Sequence, residues 1–187
     1  KSGKVAGIAG FDFPVLKAQM AAFEAGAKAQ KPDIQFKVIY LGTFDDVAKG
    51  KEAAQSLAAA GYDVIYHIAD AAGIGVINGA KAAGVKVIGW GADQNSVAPD
   101  TVIASQITDQ AEQIHQICKD FKAGKFAGGT VRVDGLKSGL TGLTKMYNVP
   151  ADIEAKVEKV KQGIIDGSIT DVPSIGGDIA GSGPQGG

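Results

Sequence analysis

Six short apolar runs, each stopped by small residues, limit what this chain can fold into: 4–9, 36–40, 63–66, 85–88, 101–104 and 130–133. Stretches with helical spacing separate most of them. A parallel sheet covered by helices on both faces has this pattern, because each strand must be apolar on both sides. Right-handed crossovers then favour the strand order 2-1-3-4-5 in an α/β, three-layer lobe of at least five strands. In such sheets a ligand sits beyond the carboxyl ends of the strands, so the loops that follow the runs are the places to look.

Helix signals fit between the runs. Pro14 opens the first helix, with Asp12 as a nearby cap, and Leu16, Met20, Phe23 and Ala27 make its inward stripe. Thr43-Phe44-Asp45-Asp46 reads as a capping box for a second helix that closes at Gly61. A third helix, about 72–83, is rich in Ala and Gly and can lie close to the sheet; Gly84 ends it. Later come a helix at 109–121, a Gly-rich stretch at 128–142 holding the sixth run, and a helix carrying Ile153, Val157, Val160 and Ile164. The Gly-rich tail, 174–187, is expected to be flexible.

With 19 basic against 20 acidic residues and no one-signed block, the chain lacks the field that nucleic acid or a membrane surface would need. No apolar run is long enough to span a bilayer. The opening, Lys1-Ser2-Gly3-Lys4, leads straight into a strand with no signal peptide, which fits a removed leader or an internal cut. The single cysteine, Cys118, falls on the apolar side of its helix and reads as a buried, inert thiol.

Three loops share one expected rim. Gly10-Phe11-Asp12-Phe13-Pro14 offers aromatic rings and a helix N-terminus. Tyr66-His67-Ile68-Ala69-Asp70-Ala71-Ala72-Gly73 combines polar groups with small residues that admit a ligand close to the backbone, but lacks the ending of a P-loop. Gly89-Trp90-Gly91-Ala92-Asp93-Gln94 sets the chain's one tryptophan beside an acid and an amide, a combination suited to a flat ring joined to hydroxyls. The candidate ligand-binding residues are therefore Phe11, Asp12, Phe13, Tyr66, His67, Asp70, Trp90, Asp93 and Gln94. No Ser-His-Asp arrangement or metal-ligand spacing is present, and no cofactor is called for. The readings are a solute receptor, a ligand-sensing domain of a regulator, or a small α/β enzyme using Asp12, Asp70 or Asp93.

At these loops the chain resembles the basic membrane protein family, the PnrA-like nucleoside receptors of ABC importers. The likeness is carried by Lys4-Val5-Ala6-Gly7-Ile8-Ala9-Gly10, Gly42-Thr43-Phe44-Asp45-Asp46, Asp63-Val64-Ile65-Tyr66-His67, Gly73-Ile74-Gly75-Val76 and Ile88-Gly89-Trp90-Gly91-Ala92-Asp93-Gln94. It implies a type I periplasmic-binding fold whose two lobes close on a nucleoside-like solute without catalysis. It also implies an ABC permease as partner and a periplasmic or cell-surface location, lipid-anchored in the full-length form. In the family an aromatic at the position of Tyr66 stacks on the base and acids near Asp93 hold the ribose; here Gly91 replaces the first of those acids and Trp90 an aliphatic residue. Family members are nearly twice as long. The resemblance therefore assigns 1–106 to a ligand-binding lobe and 107–173 to segments that recross to a missing first lobe. The apolar side of the 109–121 helix would pack on that lobe or on a second chain.

Overall fold

A computed structural model of the chain describes residues 2–130 and 132–172. The 174–187 tail and Val131 of the sixth run lie outside the described residues. The elements run β1 (Lys4–Ala9), α1 (Pro14–Gln30), β2 (Gln35–Tyr40), α2 (Val47–Ala59), β3 (Val64–Ile68), α3 (Asp70–Ala83), β4 (Lys86–Gly91), β5 (Val102–Thr108), α4 (Gln110–Lys122), β6 (Thr141–Leu143) and α5 (Ala151–Asp166). Short 3₁₀ turns at Asn95–Val97 and Leu136–Ser138 complete the chain.

The strands form one sheet in the order β2-β1-β3-β4-β5-β6, with β1 to β5 parallel, so the expected 2-1-3-4-5 order is present. The sixth strand is not where the apolar run placed it. Thr130, Arg132 and Val133 are irregular, and Val133 is 75% exposed; the sheet is extended instead by Thr141–Leu143, antiparallel to β5. A two-residue alternation beside glycines is too short a signal to outweigh the register that β5 offers to 141–143.

Side chains alternate across the sheet. Ala6, Ile8 and Ile65 point to the α2–α3 side, where they meet Ala54, Leu57 and Val76. Ala9, Tyr66 and Ile68 point the other way, to Leu16 and Met20 of α1. Burying each large apolar group contributes about 1.5–3 kcal/mol, so Ile65→Ala, at 0% exposure, would be among the costlier single changes. The Ala- and Gly-rich α3 approaches α2 more closely than the sheet-facing expectation implied. A Cβ at Gly75 would stand 1.9 Å from the Val47 carbonyl oxygen, one at Gly50 2.2 Å from that of Ala72, and one at Gly79 2.5 Å from that of Lys51. The small residues are there to let two helix backbones touch.

The caps also differ in detail from the sequence pattern. Phe13 is the N-cap residue of α1 with no side-chain cap; Asp12 reaches forward to Lys17 Nζ at 3.2 Å instead. In α2 the cap is Asp46, whose Oδ1 accepts from the Lys49 N–H at 2.9 Å, while Thr43 Oγ1 takes the Asp45 N–H. No residue of α4 is buried: Ile114, Ile117 and Phe121 are 62, 40 and 73% exposed, and Cys118 is exposed too, contrary to the buried-thiol expectation. The helix has an apolar stripe that stays largely exposed among the described residues, with Phe126 edge-on to Phe121 at 6.1 Å.

Candidate functional site

Because β1 to β5 are parallel, the segments after Ala9, Tyr40, Ile68, Gly91 and Thr108 all leave one edge of the sheet. That edge carries the three expected loops and adds the β2–α2 loop.

Phe11 and Phe13 stack in the β1–α1 loop, ring centroids 5.2 Å apart and 8° from parallel. Phe44, from the β2–α2 loop, tilts against both, at 5.2 and 6.4 Å. Gly10 makes this possible, since a Cβ there would lie 2.2 Å from the Phe44 ring. Phe13 remains 49% exposed, so the cluster presents ring surface to solvent. The Ala72 N–H donates to the Phe44 carbonyl at 2.8 Å and ties this loop to the start of α3. Asp70 opens α3 with φ 44, a left-handed conformation uncommon for a side-chain-bearing residue, and its carboxylate is exposed beside the helix N-terminus.

Trp90, at the end of β4, is half-buried and packs on the Tyr66 and Ile68 cluster. Asp93 follows in an exposed turn. Its Oδ1 accepts the Asn95 N–H at 3.0 Å and its Oδ2 accepts from the Tyr147 hydroxyl. The Tyr147 bond, then the Asn95 N–H, hold the Asp93 carboxyl below the usual carboxylate range; the same bond pushes the Tyr147 phenol up. Asn95 itself is anchored by Nδ2 donating to the Pro99 and Val102 carbonyls at 3.1 and 2.8 Å.

The other expected site residues lie beneath the edge. Tyr66, 6% exposed, donates its hydroxyl to Gln106 Oε1 at 3.0 Å and packs on Phe23 at 5.2 Å. Burial drives its phenol above the ordinary tyrosine range. Gln106 Nε2 continues the chain to Thr108 Oγ1 at 3.2 Å. His67, 1% exposed, sits on the opposite face with Nε2 2.8 Å from Gln94 Oε1; burial lowers its pKa to about 4, against a smaller upward pull from Gln94. The imidazole is thus neutral, and no general-base role suits a ring closed off from the rim.

The structure therefore gathers Phe11, Asp12, Phe13, Asp70, Trp90 and Asp93 on the carboxyl edge and sets Tyr66, His67 and Gln94 below it as support. Sequence reasoning missed Phe44, Gln106 and Tyr147. Phe44 could have been found, since it follows the second strand and the edge rule covers that loop as well. Tyr147 could not, being 54 residues from Asp93 with no local pattern to join them. Among the described residues, no three His, Cys, Asp or Glu side chains are placed to hold a metal, and no helix is long and apolar enough to cross a membrane. A cleft of about 360 Å³ between Lys81, Lys86, Pro99 and Asp100 opens at the amino ends of β4 and β5, away from this edge.

The family model described as "ABC transporter substrate-binding protein PnrA-like" matches residues 1–173. The chain belongs to this family. PnrA-like relatives include the ABC transporter nucleoside-binding protein BmpA of Lactococcus lactis, 35% identical over 93% of this chain and 54% of that protein. Basic membrane protein A2 of Borrelia garinii is 32% identical over 90% of this chain and 51% of its own length. The chain spans about half the length of these relatives. Among solved structures, that of ABC transporter system solute-binding proteins from Aeropyrum pernix K1 superposes with a TM-score of 0.75 at 25% identity, covering 91% of this chain and 58% of that one. The periplasmic-binding-protein-like fold follows from the sheet order and these neighbours together.

Proposed function

We propose that this chain is the ligand-binding lobe of an extracytoplasmic receptor that captures a nucleoside-like solute for an ABC permease, without catalytic turnover. The observation that carries the reading is the aromatic edge: the Phe11–Phe13–Phe44 cluster and Trp90 stand at the carboxyl ends of a parallel sheet beside exposed carboxylates. Flat ring faces stack on a base, and carboxylates accept from sugar hydroxyls. In this reading Phe11, Phe13 and Trp90 contact the solute, Asp12, Asp70 and Asp93 supply acceptors, and Tyr66, His67 and Gln94 hold the floor. A relative named as nucleoside-binding, BmpA of Lactococcus lactis, supports the ligand class.

Asp12 is paired with Lys17, and Asp93 already accepts two hydrogen bonds, which suits acceptors better than an acid–base pair. A second lobe completes the cleft in the full-length protein, anchored as a lipoprotein, and packs on the exposed α4 stripe. In this reading no nucleic acid is a partner, in keeping with 19 basic against 20 acidic residues and no one-signed block. The test is a thermal-shift screen of adenosine, guanosine, pyrimidine nucleosides and simple sugars, with the first lobe restored. A hundredfold excess over Kd stabilises by about 2.7 kcal/mol. Trp90→Ala should abolish the nucleoside shift; an undiminished shift in that variant would remove Trp90 from the site, and no shift with any nucleoside would overturn the ligand class.

A further inference from the structure

We propose that His67 is a positioning residue: its Nε2–H holds the Gln94 side chain folded back against β4, and so fixes Trp90 and the Asp93 turn on the binding edge. The inference rests on the solute-binding reading for its purpose, but its geometry stands alone. Gln94 Oε1 accepts from the Trp90 backbone N–H at 3.0 Å, which identifies that atom as the oxygen. His67 Nε2, 2.8 Å from the same oxygen, must then be the protonated nitrogen. One acceptor thus receives a donor from β3 and one from β4. The Gln94 N–H in turn donates to Ser105 Oγ on β5 at 3.1 Å, so the turn is tied across three adjacent strands.

Two glycines clear the path. A Cβ at Gly73 would lie 2.3 Å from His67 Cε1, and one at Gly89 2.6 Å from both Gln94 Oε1 and Ser105 Oγ. His67 Nδ1 is buried with no partner among the described residues. An apolar side chain would occupy this interior without stranding an acceptor, so stability alone does not account for an imidazole here. Its Nε2–H does.

Trp90 is the chain's one tryptophan, so its fluorescence reports the edge directly. In the full chain with no solute added, His67→Leu is expected to red-shift the Trp90 emission and remove its protection from acrylamide quenching. His67→Gln, whose amide nitrogen reaches the place of Nε2, restores both; His67→Asn, whose amide falls at the level of Nδ1, does not. Wild-type emission and quenching in a folded His67→Leu variant would overturn the proposal, as would equal behaviour of the Gln and Asn variants. Should His67→Leu not fold, the Gln and Asn variants carry the test alone: protected Trp90 in His67→Gln with loosened Trp90 in His67→Asn supports the strut, and equal quenching in the two refutes it. Failure of every nucleoside to bind leaves this readout intact, so the two ideas fail separately.

Discussion

Replacing Gly75 by alanine tests whether α2 and α3 are spaced by their glycines. The new methyl would lie 1.9 Å from the Val47 carbonyl oxygen and 2.8 Å from its carbon, where ordinary contact begins near 3.4 Å. Restoring that contact requires the helices to part by about 1.5 Å. Both partners are backbone, so no rotamer change can relieve the overlap. Overpacking of this kind costs roughly 1–3 kcal/mol, and rigid backbone puts it at the upper end. Alanine's better helix propensity returns about 1 kcal/mol, leaving a net loss of about 2 kcal/mol. At about 2–4 °C per kcal/mol for a chain of this size, the melting temperature should fall by roughly 4–8 °C. Gly26 is the internal control: it lies in α1 with nothing within 4 Å of an added Cβ, so Gly26→Ala gains the propensity alone. That variant should melt about 2–4 °C higher. Thermal unfolding followed by far-UV circular dichroism measures both. If Gly75→Ala is as stable as wild type or rises alongside Gly26→Ala, the reasoning about helix contact is wrong. A functional effect should accompany the loss, because α2 and α3 begin at the edge and the Phe44 carbonyl is tied to Ala72.

Three further outcomes can be measured. Between pH 6.5, the ordinary histidine value, and about 4, where buried His67 titrates, the unfolded chain binds a proton that the folded one refuses. Stability should therefore fall as pH drops through that window, by about 3 kcal/mol in all; urea midpoints should show the slope in wild type and lose it in His67→Gln. Asp70→Gly relieves a left-handed side-chain-bearing residue and should raise unfolding free energy by about 1 kcal/mol; a loss of stability would argue against strain there. Tyr147→Phe should move the Asp93 titration, followed by carboxyl NMR, up toward the usual range, and an unmoved titration would refute the hydroxyl contact.

Sheet order and the carboxyl-edge rule were legible because they follow from strand periodicity and crossover handedness, which are local signals combined with a general constraint. β1, β3 and β4 stand almost where their apolar runs lie, and α5 ends at Gly167, whose φ of 83 favours glycine. The losses have physical reasons as well. β6 belongs to a pair set by β5's free side rather than by its own sequence, whereas Thr130, Arg132 and Val133 join no strand among the described residues. His67 and Gln94 were read as rim residues; alternation along β3 puts His67 on the face opposite Tyr66, where Gly73 leaves room for its ring. The stripe of α4 was read correctly as apolar, but periodicity says which residues share a face and not how far that face is covered: Ile114 and Phe121 are 62 and 73% exposed.

The base of the α4 excursion has a consequence for how this polypeptide can be cut. The Asp109 N–H donates to the Leu140 carbonyl at 2.7 Å, and β5 pairs with β6 immediately beyond, so the backbone leaves the sheet and re-enters it at one point. The described residues between 110 and 139 leave and rejoin the sheet at that junction, with Leu136–Ser138 also packing on α5. Splicing Thr108 to Thr141 through an Asn-Gly hairpin turn would yield a shorter protein with the same sheet, and the junction itself is where a foreign module could be inserted without disturbing Trp90.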